Sequence, residues 1–210
     1  MGFYRLKQMK KIRLLLILLI GGLLTYFAFQ SQFKTFFFDS IIELGLLLLG
    51  LSISIWTLVT DIKNYRTNRQ LKTFALTILC LAFAFFIATF HIRTQINFNK
   101  PTLLKVFYDG DFNGTGIDFK TDGTYIFDNS AIGLSDYFYG TYKIANNRIT
   151  MDKDQFDNLT NLKYLEIREK KTENNTTDLY LYQIDSVGNL IGNSDEFRVT
   201  IDSRKNRQKK

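Results

Sequence analysis

The chain has 210 residues, 46% of them hydrophobic, and a formal net charge of +7, a length that admits one ordinary domain or a membrane part plus one small soluble domain. One Cys, one His, one Pro and one Trp leave almost no material for a disulfide framework, a metal cage or a nucleophile-base pair. The charge is unevenly divided: residues 1–100 hold 12 Lys/Arg against 3 Asp/Glu, and residues 101–210 hold 15 against 17, so the positive excess is a membrane-flank signal, and no basic patch interleaved with stacking aromatics points to nucleic acid.

Three apolar stretches open the chain: Leu14 to Phe33, Ile41 to Thr60 and Thr73 to Ile92. Crossing a bilayer takes roughly 20 such residues, and a soluble fold would lack the amphipathic chain to cover three of them. They predict a three-helix transmembrane domain over residues 1–95. Arg5, Lys7, Lys10, Lys11 and Arg13 precede the first stretch, as in a secretion signal. Tyr26 stands where a cleavage site at Ala28 needs a small residue, so the reading is an uncleaved anchor.

Orientation follows the basic residues, which resist translocation. Five precede the first stretch, Lys34 alone lies between the first and second, and Lys63, Arg66, Arg69 and Lys72 lie between the second and third. This places the N-terminus in the cytoplasm and everything beyond Ile92 outside it. Abundant Lys, Asn, Ile and Phe with little Pro is a bacterial composition, making the expected location the inner (cell) membrane. Phe33, Phe36, Phe37 and Phe38 fit the outer interface. Gly21 with Thr25, Gly50 with Ser54, and Cys80 with Ala84 and Ala88 repeat at helix spacing, which lets helices approach closely; Cys80 reads as packing volume. Glu43 and His91 fall at similar depth near the outer side, either as a pair or as two interfacial groups that reach water.

After Pro101 the pattern changes to short alternating runs cut by Gly, Asn and Asp. The predicted strands are Leu104 to Tyr108, Gly116 to Phe119, Thr124 to Phe127, Tyr137 to Ile144, Arg148 to Asp152, Lys163 to Arg168, Leu179 to Ile184 and Glu196 to Ile201. Turn chemistry at Thr121-Asp122-Gly123 and Ala145-Asn146-Asn147 predicts hairpins. The result is an all-β antiparallel meander over residues 101–203, closed into a small barrel or folded into a sandwich. Alternation assigns the inward face to Ile117, Phe119, Tyr125, Phe127, Phe138, Tyr142, Ile144, Ile149, Met151, Leu165, Ile167, Phe197, Val199 and Ile201.

The run IDFKTDGTYIF from Ile117 to Phe127, followed by YGTYKIANNRITMD from Tyr139 to Asp152, resembles the paired hairpins of small bacterial lipocalin-like domains. The resemblance covers about 40 residues of the β part and implies a barrel of that kind. Its motifs are turn and core chemistry, so it speaks to fold and barely to function.

Few residues suggest chemistry. Asp109, Asp111 and Asn113 match the opening of a calcium loop, but Lys120 occupies the position where a bidentate Glu would close the shell. The segment reads as a turn, with Asp118 the one possible substitute ligand and no metal or other cofactor expected. Asn113, Asn158, Asn174 and Asn175 each begin an N-x-Ser/Thr triplet, for which no glycosylation is expected in a bacterial chain. Tyr137 and Tyr139 share the face opposite Phe138 and Tyr142, as a second apolar layer or an exposed recognition patch. The β part has no His or Cys and no nucleophile-elbow Ser. Arg204 to Lys210 is a basic tail read as solvated and disordered.

These observations predict a non-enzymatic integral membrane protein that displays an extracytoplasmic β-domain for protein or apolar-ligand binding at the cell envelope. The lipid bilayer and another envelope protein are the expected partners. A membrane immunity protein against a toxin and an accessory subunit of a transporter are the alternatives.

Overall fold

The structure, a computed structural model, describes residues 2–156, 161–171, 176–192 and 196–204. Asn158, Asn174 and Asn175 and the tail beyond Arg204 lie outside the described residues. The chain divides into two compact units, Met1–Asn97 and Phe98–Lys210.

The first unit is built on α1 (Gly2–Gln30), α2 (Phe37–Asn68) and α3 (Ala75–Phe98), with a short 3-10 turn over Leu71–Phe74 leading into the last. All three helices are long and apolar enough to cross a membrane. Asp39 Oδ2 accepts the Phe36 N–H at 3.1 Å, which satisfies a backbone donor at the start of α2. Arg69 ends that helix in the left-handed conformation, φ 51°, its N–H donating to Tyr65 O. The small residues meet large neighbours: a Cβ at Gly21 would lie 2.5 Å from the Phe83 ring, and one at Gly50 would lie 3.2 Å from Leu24. α2 runs eight residues past the predicted Thr60 limit, so the basic flank Lys63 to Arg66 is helical and Asp61 lies inside the helix.

The second unit is an antiparallel eight-stranded barrel. Its strands are β1 (Thr102–Gly110), β2 (Asn113–Lys120), β3 (Thr124–Ala131), β4 (Leu134–Ala145), β5 (Arg148–Met151), β6 (Tyr164–Lys171), β7 (Thr177–Gln183) and β8 (Phe197–Asp202). Each strand pairs with the next in sequence, and β1 pairs with β8 to close the ring. The eight predicted strands are all present, and the structure chooses barrel over sandwich. β4 is the longest: Leu134 to Thr141 pairs with β3 and Tyr142 to Ala145 with β5.

Side chains fill the core of the barrel, and a pocket of roughly 600 Å³ in the same unit is lined mainly by polar residues, among them Asn147, Glu166, Arg168 and Arg204. Ile117, Phe119, Tyr125, Phe127, Leu165 and Phe197 are fully buried, as are Leu104 and Val106 of β1. The connection between β5 and β6 adds Phe156 and Leu162, both buried; Phe156 stacks on Phe127 with centroids 4.5 Å apart and planes 13° from parallel. Phe138, Ile144 and Val199 pack against this core partly buried. Ile201 departs from its predicted inward place and is 44% exposed. The cause is a register shift: Val106 pairs with Val199 but Lys105 pairs with Ile201, so a bulge consumes Thr200 and turns Ile201 to the outward side of Lys105.

Candidate functional site

Two polar pairs lie within the helical unit. Arg13 on α1 and Asp61 on α2 are 4% and 1% exposed. Arg13 Nη1 donates to Asp61 Oδ1 at 3.2 Å and to the Thr57 carbonyl at 3.4 Å, while Asp61 Oδ2 accepts from Thr77 Oγ1 at 2.9 Å. One carboxylate thus ties all three helices, as burial of a charge requires. Sequence reasoning missed this site because Arg13 reads as a basic flank and Asp61 falls just beyond the predicted span. The second pair is the one the sequence offered: His91 Nε2 lies 3.0 Å from Glu43 Oε1. Its imidazole is far more exposed than the Arg13 guanidinium.

Between these levels is a cavity of roughly 330 Å³, lined on α1 by Ile20 and Leu24, on α2 by Leu47 and Gly50, and on α3 by Cys80 and Ala88. Its wall is apolar. Ser54 lines it too, but its hydroxyl donates to Gly50 O at 2.8 Å, so the site has shape and little polar chemistry.

In the barrel, polar side chains of the Ile117–Phe127 and Tyr139–Asp152 segments tie the hairpins together. Asp122 Oδ1 accepts from the Thr124 N–H and hydroxyl, and Lys100 lies 2.9 Å from its other oxygen; these bonds hold the carboxyl down at about 2. Gly123 turns with φ 84°. The Tyr125 hydroxyl donates to Asp152 Oδ1 at 2.8 Å, and the Thr141 N–H donates to Asp152 Oδ2 at 3.0 Å. A Cβ at Gly140 would fall 2.4 Å from Asp152 Oδ1 and clash with the Tyr125 hydroxyl, so glycine is needed for the bond to pass. The Tyr142 hydroxyl donates to Lys120 O at 2.7 Å.

Lys120 is itself buried, 1% exposed. Its Nζ donates to the carbonyls of Phe98 and Lys100 and to Asp118 Oδ2, at 2.8, 3.1 and 2.7 Å. Asp118 also accepts from the Thr102 hydroxyl, so the substitute calcium ligand serves an internal ammonium. Asp109, Asp111 and Asn113 are exposed around the tight β1–β2 turn, in which Asp111 has φ 63° and the Phe112 N–H donates to Gly110 O. Among the described residues no group of three or more His, Cys, Asp or Glu is placed to hold a metal ion.

Tyr137 and Tyr139 are half-buried on the outward face. Phe98 packs edge-on against Tyr137, centroids 5.1 Å apart, and burial pushes the Tyr139 hydroxyl up to about 12. Asp128 pairs across the ladder with Tyr137. Among the described residues its Oδ1 has no hydrogen-bond donor, and burial raises its carboxyl despite Lys105 nearby.

The exposed apolar residues of the barrel gather elsewhere. Phe112 in the β1–β2 turn is 76% exposed and Ile132 in the β3–β4 turn is 79% exposed, with Leu134 beside it also exposed. The two tips are neighbours, because Asn113 pairs with Ala131 across the β2–β3 ladder. They were not singled out from sequence, although a large apolar residue inside a Gly/Asp/Asn turn was the available signal.

Comparison with protein-family models, with curated proteins and with solved structures finds no match to this chain.

Proposed function

We propose that this chain is a non-enzymatic multi-pass protein of the bacterial cell membrane whose helices anchor an extracytoplasmic β-barrel that binds a protein partner at the envelope. One observation carries the reading: the barrel core is packed, with Phe156 stacked on Phe127, and the pocket beside Ile167 and Leu179 has a mainly polar lining, while Phe112 and Ile132 stand in solvent on adjacent hairpin tips. An eight-stranded barrel either packs its interior with side chains or holds one small ligand. Packing favours a partner met on the outside over an apolar ligand within. Basic residues ahead of α1 and between α2 and α3 support the extracytoplasmic placement.

The test has two parts. A reporter active only outside the cytoplasm, fused after Lys210, is expected to be active, and the same reporter near Asn68 silent. A photo-crosslinking residue at Ile132 in living cells is expected to give a discrete protein adduct, and one at Thr177 none. Reversed reporters, or equal labelling at both positions, overturn the proposal.

A further inference from the structure

The double hairpin that ends in Phe112 and Ile132 has a charge character as well as an apolar one. The chain carries 27 Lys and Arg, yet none falls between Val106 and Phe119 or between Thr121 and Tyr142. The same two stretches hold six Asp. Asp118 and Asp122 are tied to Lys120 and Lys100 near the start of β1. Asp109 and Asp111 flank the Phe112 turn and are exposed. Asp128 and Asp136 lie on β3 and β4 behind the Ile132 turn, paired across the ladder with Tyr137 and Asn129.

An exposed apolar tip alone does not choose among a bilayer, a second copy and another protein, but charge does. Anionic lipid surfaces attract basic segments and repel these carboxylates. A second copy docked tip to tip would set like charges against one another. The remaining complement is apolar side chains interleaved with positive charge.

We propose that the paired tips dock a cationic amphipathic segment of a partner protein, its apolar residues covering Phe112, Ile132 and Leu134 and its Lys or Arg meeting Asp109 and Asp111. The inference rests on the reading of the barrel as a binding module and names the chemistry of what it binds.

The test uses the full chain in nanodiscs of zwitterionic lipid, with empty nanodiscs as the lipid control. The probe is a fluorescent helical peptide of Leu and Lys at amphipathic spacing, beside a Leu/Glu peptide of the same spacing. The Leu/Lys peptide is expected to bind saturably above the empty discs, and the Leu/Glu peptide not to bind. The double variant F112S/I132S should weaken binding about tenfold or more. D109N/D111N should weaken it by about three- to tenfold and flatten its salt dependence. All four side chains are exposed, and an unchanged circular dichroism melt certifies the fold of each variant. Absence of saturable binding, equal binding of the Leu/Glu peptide, or unchanged affinity in both double variants overturns the inference. So does tip-dependent pairing of chain-loaded discs or their tip-dependent attachment to anionic vesicles, which would assign the tips to a second copy or to lipid. Failure here with a discrete Ile132 adduct in cells would sink the cationic partner and leave the binding module standing.

Discussion

In the helical unit, Leu15, Leu48 and Phe85 face outward while Arg13 and Asp61 are inside; in the barrel, Phe119, Phe127 and Phe197 are inside and most charges are outside. The same side chains thus take opposite places in one chain. Burial of apolar area lowers free energy only when the alternative is water. Helices suited to hydrocarbon therefore rely on close contacts such as Gly21 against Phe83 and on buried polar pairs, whereas the barrel relies on its filled core.

The largest test of that contrast removes one partner of the buried pair. Asp61→Ala leaves the Arg13 guanidinium uncompensated and should cost about 3–5 kcal/mol, read as a lowered midpoint for loss of helical ellipticity in detergent. Replacing both residues with Leu should recover most of the loss. A neutral single variant would show that the pair is solvated, and the inside-out description of the helices would fail.

A smaller effect is expected from Asp152 in the barrel. Burial pushes its carboxyl up, but the bonds from Tyr125 and Thr141 outweigh this and hold it below the usual carboxylate range. A depressed folded value gives stability that is fully present above the unfolded value of about 4 and is lost as pH falls through the folded value. Asp152→Ala should cost about 1 kcal/mol at neutral pH, a low figure because the carboxylate is largely exposed to screening solvent. It should also flatten the acid limb of a plot of barrel melting temperature against pH. A variant whose acid limb is as steep as that of the parent would remove Asp152 from the barrel's charge balance.

Much of the fold was legible because its signals are local. Alternation located all eight strands, and Gly123 and Asn146 marked two hairpins by turn chemistry, as their positive φ values bear out. Ile201 was misplaced because a bulge changes register by a backbone choice that side-chain type does not encode. The Arg13–Asp61 pair joins residues 48 positions apart, and no helical period reports which faces of two helices meet. The Glu43–His91 pair was legible because both residues interrupt otherwise apolar runs. Closure of β1 on β8 joins the two ends of the β region, a long-range choice that left barrel and sandwich equally consistent with the strand pattern.

The smallest expected effect sharpens the bulge assignment. Ile201→Ser should change barrel stability by no more than about 0.5 kcal/mol, whereas Val199→Ala, two residues away and packed on the core, should cost about 1 kcal/mol or more. Denaturant midpoints rank the two; equal costs would place both side chains on one face.

Lys120 gives the barrel an internal clock. Its ammonium is enclosed and engaged with three oxygens, so an amine-directed reagent must wait for the closed ring to open before it can acylate that nitrogen. Surface amines such as Lys105 and Lys143 react without that delay. The lag between the two classes, followed by mass spectrometry under native conditions, measures how often the barrel breathes and needs no introduced label.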